Sequence, residues 1–118
     1  MPTEARRLEV EEIDGITVVK FVDKRILDEG DIRNLGKQLF ALVDEAGGQK
    51  IVLDFHHVDF LSSTALGTLI RFEGMLKRAN SKLRMCSIHP DIYEVFEITR
   101  LHLKFDIKQT LEEAMEGF

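Results

Sequence analysis

The sequence lacks the features that mark secreted, membrane-spanning or disulfide-bonded proteins. Cys86 is the only cysteine among 118 residues, so no disulfide can form within the chain, and a reducing compartment is expected. No apolar run approaches the length of a membrane-spanning helix, and the first residues, MPTEARR, lack the apolar segment of a secretory signal. These absences predict a cytoplasmic protein without membrane insertion.

Excess positive charge is also missing. The chain carries 16 lysines and arginines against 21 aspartates and glutamates, which gives a formal net charge of −5, and the basic residues are dispersed along it. A surface for nucleic acid or for an anionic membrane normally requires clustered cations. We therefore expect no nucleic-acid partner.

Sequence motifs of enzymes are absent as well. There is no phosphate-binding loop, no dinucleotide-binding glycine pattern, and no G-x-S-x-G around Ser62 or Ser63. His56 and His57 are adjacent, and no cysteine or acidic residue stands at metal-ligand spacing near them. Cys86 lies in a predicted strand, where a buried and inert thiol is typical. The sequence thus predicts a protein that is not an enzyme and that has no metal and no cofactor.

What the chain does contain is an alternation of strand-like and helix-like segments. Asp14-Gly15 predicts the turn of a hairpin over residues 8–22. The apolar spacing of IRNLGKQLFALVDEAGG predicts a helix that is capped by Asp28 or Asp31 and ended by Gly47-Gly48. The segments that follow are a buried strand KIVLDF, a helix from Thr64 to Asn80, a strand KLRMCSI with one exposed face, a helix PDIYEVFEI opened by Pro90, a strand LKFDI and a terminal helix TLEEAMEGF.

This order of elements predicts an α/β fold. Strands that alternate with helices form an α/β layer, and the opening hairpin makes the sheet mixed. We expect a mixed sheet of about 4–5 strands with about 4 helices. The length of 118 residues suits a single core, so the prediction is one domain over residues 1–118, of which residues 1–7 form a loose N-terminal tail.

The second predicted helix has two different faces. Its apolar stripe repeats at intervals of four and three residues: Ala65, Leu69, Phe72, Leu76 and Ala79. The opposite face carries Gly67, Arg71, Gly74 and Arg78. Because glycine has no side chain, this face is flat, and a partner is expected to approach it closely.

Three consecutive hydroxyl residues, Ser62, Ser63 and Thr64, stand where a strand-like segment gives way to this helix. One hydroxyl could cap the helix by accepting a hydrogen bond from a free N–H, which is worth about 1 kcal/mol. Capping needs only one of the three. The alternative is phosphorylation, since a helix N-terminus favours an anion, and the added charge would then change binding rather than folding. The flanking carboxylates of Asp54 and Asp59 are expected to orient the loop.

The junction and its surroundings resemble the STAS domains of bacterial anti-sigma factor antagonists. IVLDFHHVDFLSSTALGTLI is similar to the family's central signature, in which a V-x-L-D-L strand leads to D-S-[ST]-G-[LI]-G at the head of a helix. SIHPDIYEVFEITRLHLKFDI is similar to the closing segment, which contains F-x-x-[ST]-G-[LI], and ILDEGDIRNLGKQLF stands where the first helix is expected. The resemblance covers nearly the whole chain in order and spacing.

The resemblance implies a regulator whose binding is switched by phosphorylation. In such antagonists the serine after the signature aspartate, here Ser63, is phosphorylated by a partner that is both anti-sigma factor and serine protein kinase. The unphosphorylated form binds this partner and frees the sigma factor, and a phosphatase, of the PP2C type, resets the cycle. With the flat helix face included, the predicted partner-binding residues are Ser62, Ser63, Thr64, Gly67, Arg71, Gly74 and Arg78.

Three positions depart from the family pattern. Ser62 replaces the signature aspartate, Ala65 the signature glycine, and Arg100 the usual glycine of the closing segment. The methyl group of Ala65 is expected where a partner comes close. Without the aspartate, Ser62 or Thr64 could be the phosphate acceptor in place of Ser63.

Two other functions are open on the sequence. A non-phosphorylated interaction subunit of a transporter or sensory complex would use the same fold and the glycine-bearing face, without a switch. A small nucleotide-binding or hydrolytic protein would hold phosphate at the hydroxyl cluster, although no general base or phosphate-binding lysine accompanies it.

Overall fold

The structure, a computed structural model, describes residues 6–118. This part of the chain contains seven strands and four α-helices. In order they are β1 (Leu8–Ile13), β2 (Ile16–Phe21), β3 (Arg25–Ile26), α1 (Glu29–Phe40), β4 (Lys50–Asp54), β5 (Phe60–Leu61), α2 (Ser63–Arg78), β6 (Lys82–Cys86), α3 (Pro90–Ile98), β7 (Asp106–Lys108) and α4 (Leu111–Met115), with a turn of 3-10 helix at Leu101–Leu103.

The predicted hairpin is confirmed. β1 and β2 pair antiparallel with Ile13 opposite Ile16. The two turn residues, Asp14 and Gly15, have φ angles of 53° and 78°. A two-residue hairpin turn of this kind needs positive φ at both positions, which aspartate tolerates and glycine adopts without steric cost.

Five strands form one mixed sheet in the order β1-β2-β4-β6-β7. β2, β4, β6 and β7 run parallel to one another, and β1, at the edge of this sheet, pairs antiparallel with β2. The predicted α/β fold with a mixed sheet of this size is therefore confirmed. β4 is covered on both faces, as its apolar run predicts, because Ile51, Val52 and Leu53 are all fully buried.

The helices cover the two faces of the sheet unequally. α1, α2 and α3 contribute to the larger core on one face, which contains Leu53 of β4 together with Leu69 and Phe96. On the other face, the short α4 packs Ala114 against a smaller cluster that includes Val52. Neighbouring residues of β4 point to opposite faces because the side-chain period of a strand is two.

Most helices begin where the sequence predicts. Asp28, one of the two proposed caps of α1, accepts the N–H of Asp31 at 3.0 Å, and Pro90 opens α3. The terminal helix starts as expected but ends at Met115. The last strand, predicted over LKFDI, begins only at Asp106 because the residues before it form the 3-10 turn.

The predicted extension of α1 to Gly47-Gly48 is wrong. The helix ends at Phe40, and the chain then turns back on itself. Gln49 fixes this turn, since its Nε2 donates to the carbonyl oxygen of Leu42 at 2.7 Å. Gly47 has a φ of 78°, and a Cβ at that position would clash with the carbonyl oxygen of Ala79. Gly47 therefore serves a close approach to the end of α2, Gly48 supplies a second positive φ, of 77°, in the turn, and neither caps α1.

The exposed face predicted for the KLRMCSI strand is covered at Arg84. The Nε of Arg84 donates to the carboxylate of Asp106 at 3.1 Å, and its Nη1 donates to the carbonyl oxygens of Ala114 and Glu116. The guanidinium group also lies 4.4 Å from the centre of the Phe118 ring. The prediction is wrong here because these partners come from the C-terminal segment, which no local pattern reveals.

Arg7 does not belong to a loose tail. Its backbone N–H donates to Oε1 of Gln38 at 2.8 Å, and its guanidinium pairs with Asp23 at 3.0 Å and with Asp31 at 2.6 Å. The predicted tail therefore does not extend to this residue. The remainder of that prediction falls largely on residues 1–5, which lie outside the described residues.

Two short strands that the sequence did not predict lie beside the start of α2. β3 and β5 pair in parallel, with Ile26 opposite Leu61. The guanidinium of Arg25 lies 5.2 Å from the centre of the Phe60 ring. Each strand has only two residues, too few for an alternation of polar and apolar positions to be visible. This pair holds the backbone that leads into α2.

Candidate functional site

The candidate site is the loop between β4 and α2. The chain leaves the sheet at Asp54, a buried side chain whose Oδ1 accepts the N–H of His56 at 3.0 Å. Asp54 therefore orients the loop, as predicted. Asp59 is exposed, and its backbone N–H donates to the carbonyl oxygen of Lys24 at 2.8 Å. At Asp59 it is thus the main chain that fixes the loop.

Ser62 caps α2. Its backbone is extended, with φ −76° and ψ 165°, and its Oγ accepts the N–H of Ala65 at 3.2 Å. Its own N–H donates to the carbonyl oxygen of Ile26 at 3.0 Å. A serine caps a helix about as well as the aspartate of the family pattern. The departure at Ser62 therefore removes a negative charge while it keeps the cap.

Ser63 and Thr64 open the first turn of α2, and both are exposed. Within residues 6–118, neither hydroxyl group has a hydrogen-bond partner, although the carbonyl oxygen of Thr64 accepts the hydroxyl of Thr68 at 3.3 Å. The first turn contains no acidic residue, so the positive end of the helix dipole is not offset there. An anion attached to Ser63 would meet a favourable electrostatic environment.

The glycine-bearing face of α2 is open. A Cβ on Gly67 would have no heavy atom within 4 Å, and one on Gly74 would meet only a side-chain nitrogen of Arg78 at 3.9 Å. Packing within the part of the chain that the structure describes therefore requires neither glycine. Arg71 and Arg78 are both exposed on this face, and the guanidinium of Arg71 lies 5.5 Å from the centre of the Phe40 ring.

A groove on the α3 side of α2, here called the apolar groove, lies next to the serines. Its volume is about 180 Å³. Phe60 and Val95 remain substantially exposed in it, although both are large apolar residues. The groove is lined by Phe60, Leu61, Leu66, Ile92 and Val95, together with the acidic residues Asp59 and Asp91.

A second groove, here called the cationic groove, lies between α1 and α2 and has a volume of about 460 Å³. Its polar lining includes Thr64, Arg71 and two residues of α1, Arg33 and Lys37. The sequence pattern of α2 alone did not predict the two α1 residues. Their spacing of four residues on an exposed helix face was the available signal.

The sequence model of the STAS domain family matches residues 7–114. The chain belongs to the STAS domain family. The protein BtrV of Bordetella bronchiseptica, whose name assigns it to the anti-sigma factor antagonists, is 27% identical to this STAS domain over 112 residues. The match spans 95% of this chain and 94% of that protein.

Solved structures show the same fold. An anti-sigma factor antagonist (STAS) domain protein of Planctomyces limnophilus superposes with a TM-score of 0.80 at 24% identity, over 91% of this chain and 92% of that one. The Bacillus cell fate determinant SpoIIAA in its phosphorylated form superposes with a TM-score of 0.66 at 16% identity, over 92% of this chain and 96% of that one. The fold implied by the sequence resemblance is therefore confirmed.

The two remaining departures from the STAS pattern have different consequences. Ala65 is only 1% exposed, and its methyl group packs in the core, so the expectation that it faces a partner is wrong. Arg100 has φ 60° and ψ 18°, a left-handed conformation in which glycine is favoured over any other residue. The core accommodates the methyl group of Ala65, whereas Arg100 lowers stability because a non-glycine residue adopts a left-handed backbone conformation there.

The cysteine and the two histidines near the candidate loop show no feature of a reactive or metal-binding site. Burial, with the nearby Asp54 carboxylate, raises the pKa of the Cys86 thiol to about 12, so the thiol is protonated and inert, as predicted. His56 and His57 are exposed. Over residues 6–118, no group of three potential metal ligands comes together, and no helix is long and apolar enough to cross a membrane.

Proposed function

We propose that this STAS domain is a non-enzymatic anti-sigma factor antagonist of the bacterial cytoplasm. In its unphosphorylated form it binds an anti-sigma factor that is also a serine protein kinase, and it releases this partner when Ser63 is phosphorylated. A PP2C-type phosphatase restores the binding form. The family match, the name of the relative BtrV and the phosphorylated state of the structural neighbour SpoIIAA support this proposal.

The observation that carries the proposal is that two neighbouring serines differ in their structural role. Ser62 uses its Oγ to cap α2, so phosphorylation there would remove a structural hydrogen bond. The hydroxyl of Ser63 is exposed and has no such role among the described residues. A kinase could therefore modify Ser63 without disturbing the helix. Thr64 is also exposed, and it remains the alternative acceptor to be tested.

A phosphate on Ser63 would act on binding rather than on folding. It adds about −1.5 to −2 charges at neutral pH. At the first turn of α2, these charges face free N–H groups and the positive end of the helix dipole, so the fold tolerates them. A partner that covers the same surface would instead have to desolvate the phosphate. The proposed partner surface comprises Ser62, Ser63, Thr64, Gly67, Arg71, Gly74 and Arg78.

Site-mapped mass spectrometry of the protein from its native cells, taken from growing and stressed cultures, tests the modification. We expect one phosphate on Ser63, whose occupancy differs between the two states. The Ser63→Ala variant should abolish it, whereas Thr64→Ala should leave it in place. A protein that carries no phosphate in either state would contradict the switch and favour the constitutive interaction subunit.

Affinity capture with tagged variants tests the consequence for binding. The native chain and Ser63→Ala should retain the anti-sigma factor kinase, and Ser63→Asp should lose it. Ser63→Asn is the matched control, because it changes the size of the side chain in the same way without the charge. Equal retention by the Asp and Asn variants would contradict a charge-operated switch.

A further inference from the structure

We propose that the cationic groove between α1 and α2 binds an acidic segment of a protein partner. We further propose that a phosphate on Ser63 weakens this contact by neutralising the cations of the groove. The second statement rests on the phosphorylation of Ser63 proposed above, whereas the first does not.

The charge of the cationic groove is opposite to that of the whole chain. Three cationic side chains, Arg33, Lys37 and Arg71, line the groove with one carboxylate, that of Glu29. Three positive charges against one negative charge leave a local net charge of +2, while the chain as a whole carries −5. Among residues 6–118, neither Arg33 nor Arg71 forms an ion pair, so both charges are available to a partner.

The floor of the groove is apolar and closely packed. A Cβ on Gly36 would lie 3.4 Å from the Cγ2 of Thr68, which shows how near the two helices approach one another. Ile32 and Phe40 also line the groove, and the ring of Phe40 is only partly buried beneath the guanidinium of Arg71. An occupant that matches this lining has an apolar side chain between acidic ones.

The net charge of the chain indicates which kind of anionic partner the cationic groove binds. A nucleic acid is a long polyanion, and a protein of net charge −5 repels it outside a small basic groove. A short acidic and apolar peptide segment matches both the charge and the floor of the groove without requiring basic surface elsewhere. A volume of about 460 Å³ accommodates a few side chains of such a segment.

The position of the groove connects it to the serines. Thr64 lines the groove, and Ser63 directly precedes it at the head of α2. Thr64 and Arg71 are about 10 Å apart along the helix axis, about one Debye length at physiological ionic strength, so charges at the two positions interact. A phosphate of about −1.5 to −2 charges at this end would offset most of the local charge of +2.

A titration of the full chain with a synthetic peptide tests the groove directly. The probe is a short peptide in which single leucines stand between glutamates, and backbone amide chemical shifts report where it binds. We expect the shift changes to concentrate at Arg33, Gly36, Thr68 and Arg71. The same peptide with lysines in place of glutamates should not bind there. Shift changes confined to the apolar groove, or equal binding of the two peptides, would overturn the proposal.

Charge reversal on α2 provides matched variants for the same titration. Arg71→Glu should weaken binding of the acidic peptide about tenfold, because it changes two charges inside the groove. Lys77→Glu makes the same change of two charges at an exposed position of the same helix, but outside the groove and outside the proposed partner surface, and salt screens it, so its effect should stay below about twofold. Equal losses for the two variants would show a general effect of charge and overturn the groove as the site.

The coupling to the switch needs a third pair of variants. Ser63→Asp should weaken peptide binding about threefold relative to Ser63→Asn, since a single carboxylate carries less charge than a phosphate. Identical affinities would overturn the coupling and leave the groove as a separate docking site. The titration involves neither kinase nor phosphate, so its outcome does not depend on whether Ser63 is modified in cells.

Discussion

The two grooves beside α2 have opposite chemistry, although one helix forms a wall of each. On the α3 side, the aromatic ring of Phe96 is fully buried and packs on the ring of Phe105, with ring centres 5.8 Å apart. On the α1 side, Phe40 is only partly buried and is covered by the guanidinium of Arg71. The aromatic ring on the α3 side therefore belongs to the core, while the ring on the α1 side lies at the edge of the core, beside two arginines that are open to a partner.

Because the two grooves differ in charge, a single phosphate on Ser63 could affect each of them in a different way. The apolar groove already contains the carboxylates of Asp59 and Asp91, so a phosphate on Ser63 would add negative charge to an acidic neighbourhood. On the α1 side, the same phosphate would offset the charge of Arg33 and Arg71. Under the proposed function, a partner that spans both grooves would lose favourable contacts on one side and meet a more negative surface on the other.

The largest expected effect is on stability, and it separates the two sides of α2. Phe96→Ala should lower the free energy of unfolding by about 3–5 kcal/mol, because it opens a cavity in the core under α3. Phe40→Ala should cost no more than about 2 kcal/mol, since that ring is already partly exposed. Urea-induced unfolding measures both values. Equal losses would contradict the view that Phe96 lies within the core while Phe40 lies at its edge.

The next effect distinguishes the two serines between the grooves. Ser62→Ala should lower the free energy of unfolding by about 1 kcal/mol, because the N–H of Ala65 loses its acceptor. Ser63→Ala should change it by less than about 0.5 kcal/mol, as is usual for exposed side chains without a structural role. The same unfolding measurement compares them. A larger loss for Ser63→Ala would show that Ser63, and not Ser62, caps α2. It would also weaken the case for Ser63 as the phosphate acceptor.

The sequence predicted most of the fold because the main elements carry local signals. The hairpin follows from the conformational tolerance of Asp14-Gly15, and the start of α3 follows from Pro90. The end of α1 did not follow, because it depends on a hydrogen bond from Gln49 back to Leu42. The covering of Arg84 likewise depends on the C-terminal segment. Both features depend on a contact between separate segments of the chain, and local sequence patterns do not show such contacts.

The sequence left open which of the three hydroxyls caps α2. Any of three consecutive hydroxyls could have been the cap, and the choice depends on which residue first adopts helical backbone angles. That residue is Ser63, so Ser62 becomes the cap. The spacing of Arg33 and Lys37 places both on one face of α1, but their contribution to the cationic groove also requires the packing of α1 on α2, which no local pattern shows. The family resemblance indicated Ser63 as the phosphate acceptor, which stays a prediction, but it did not indicate which neighbouring surface would be charged.

The smallest expected effect concerns the end of α3, beyond the apolar groove. Arg100→Gly should raise the free energy of unfolding by about 0.5–1 kcal/mol. Relief of a left-handed conformation gains about 1–2 kcal/mol, and the greater freedom of glycine in the unfolded chain offsets part of this gain. Arg78→Gly is the control, since Arg78 is the last residue of α2 and glycine there should cost up to about 1 kcal/mol. If Arg100→Gly lowered the free energy of unfolding as Arg78→Gly does, the left-handed backbone at Arg100 would not be strained. The arginine side chain would then have to stabilise the end of α3.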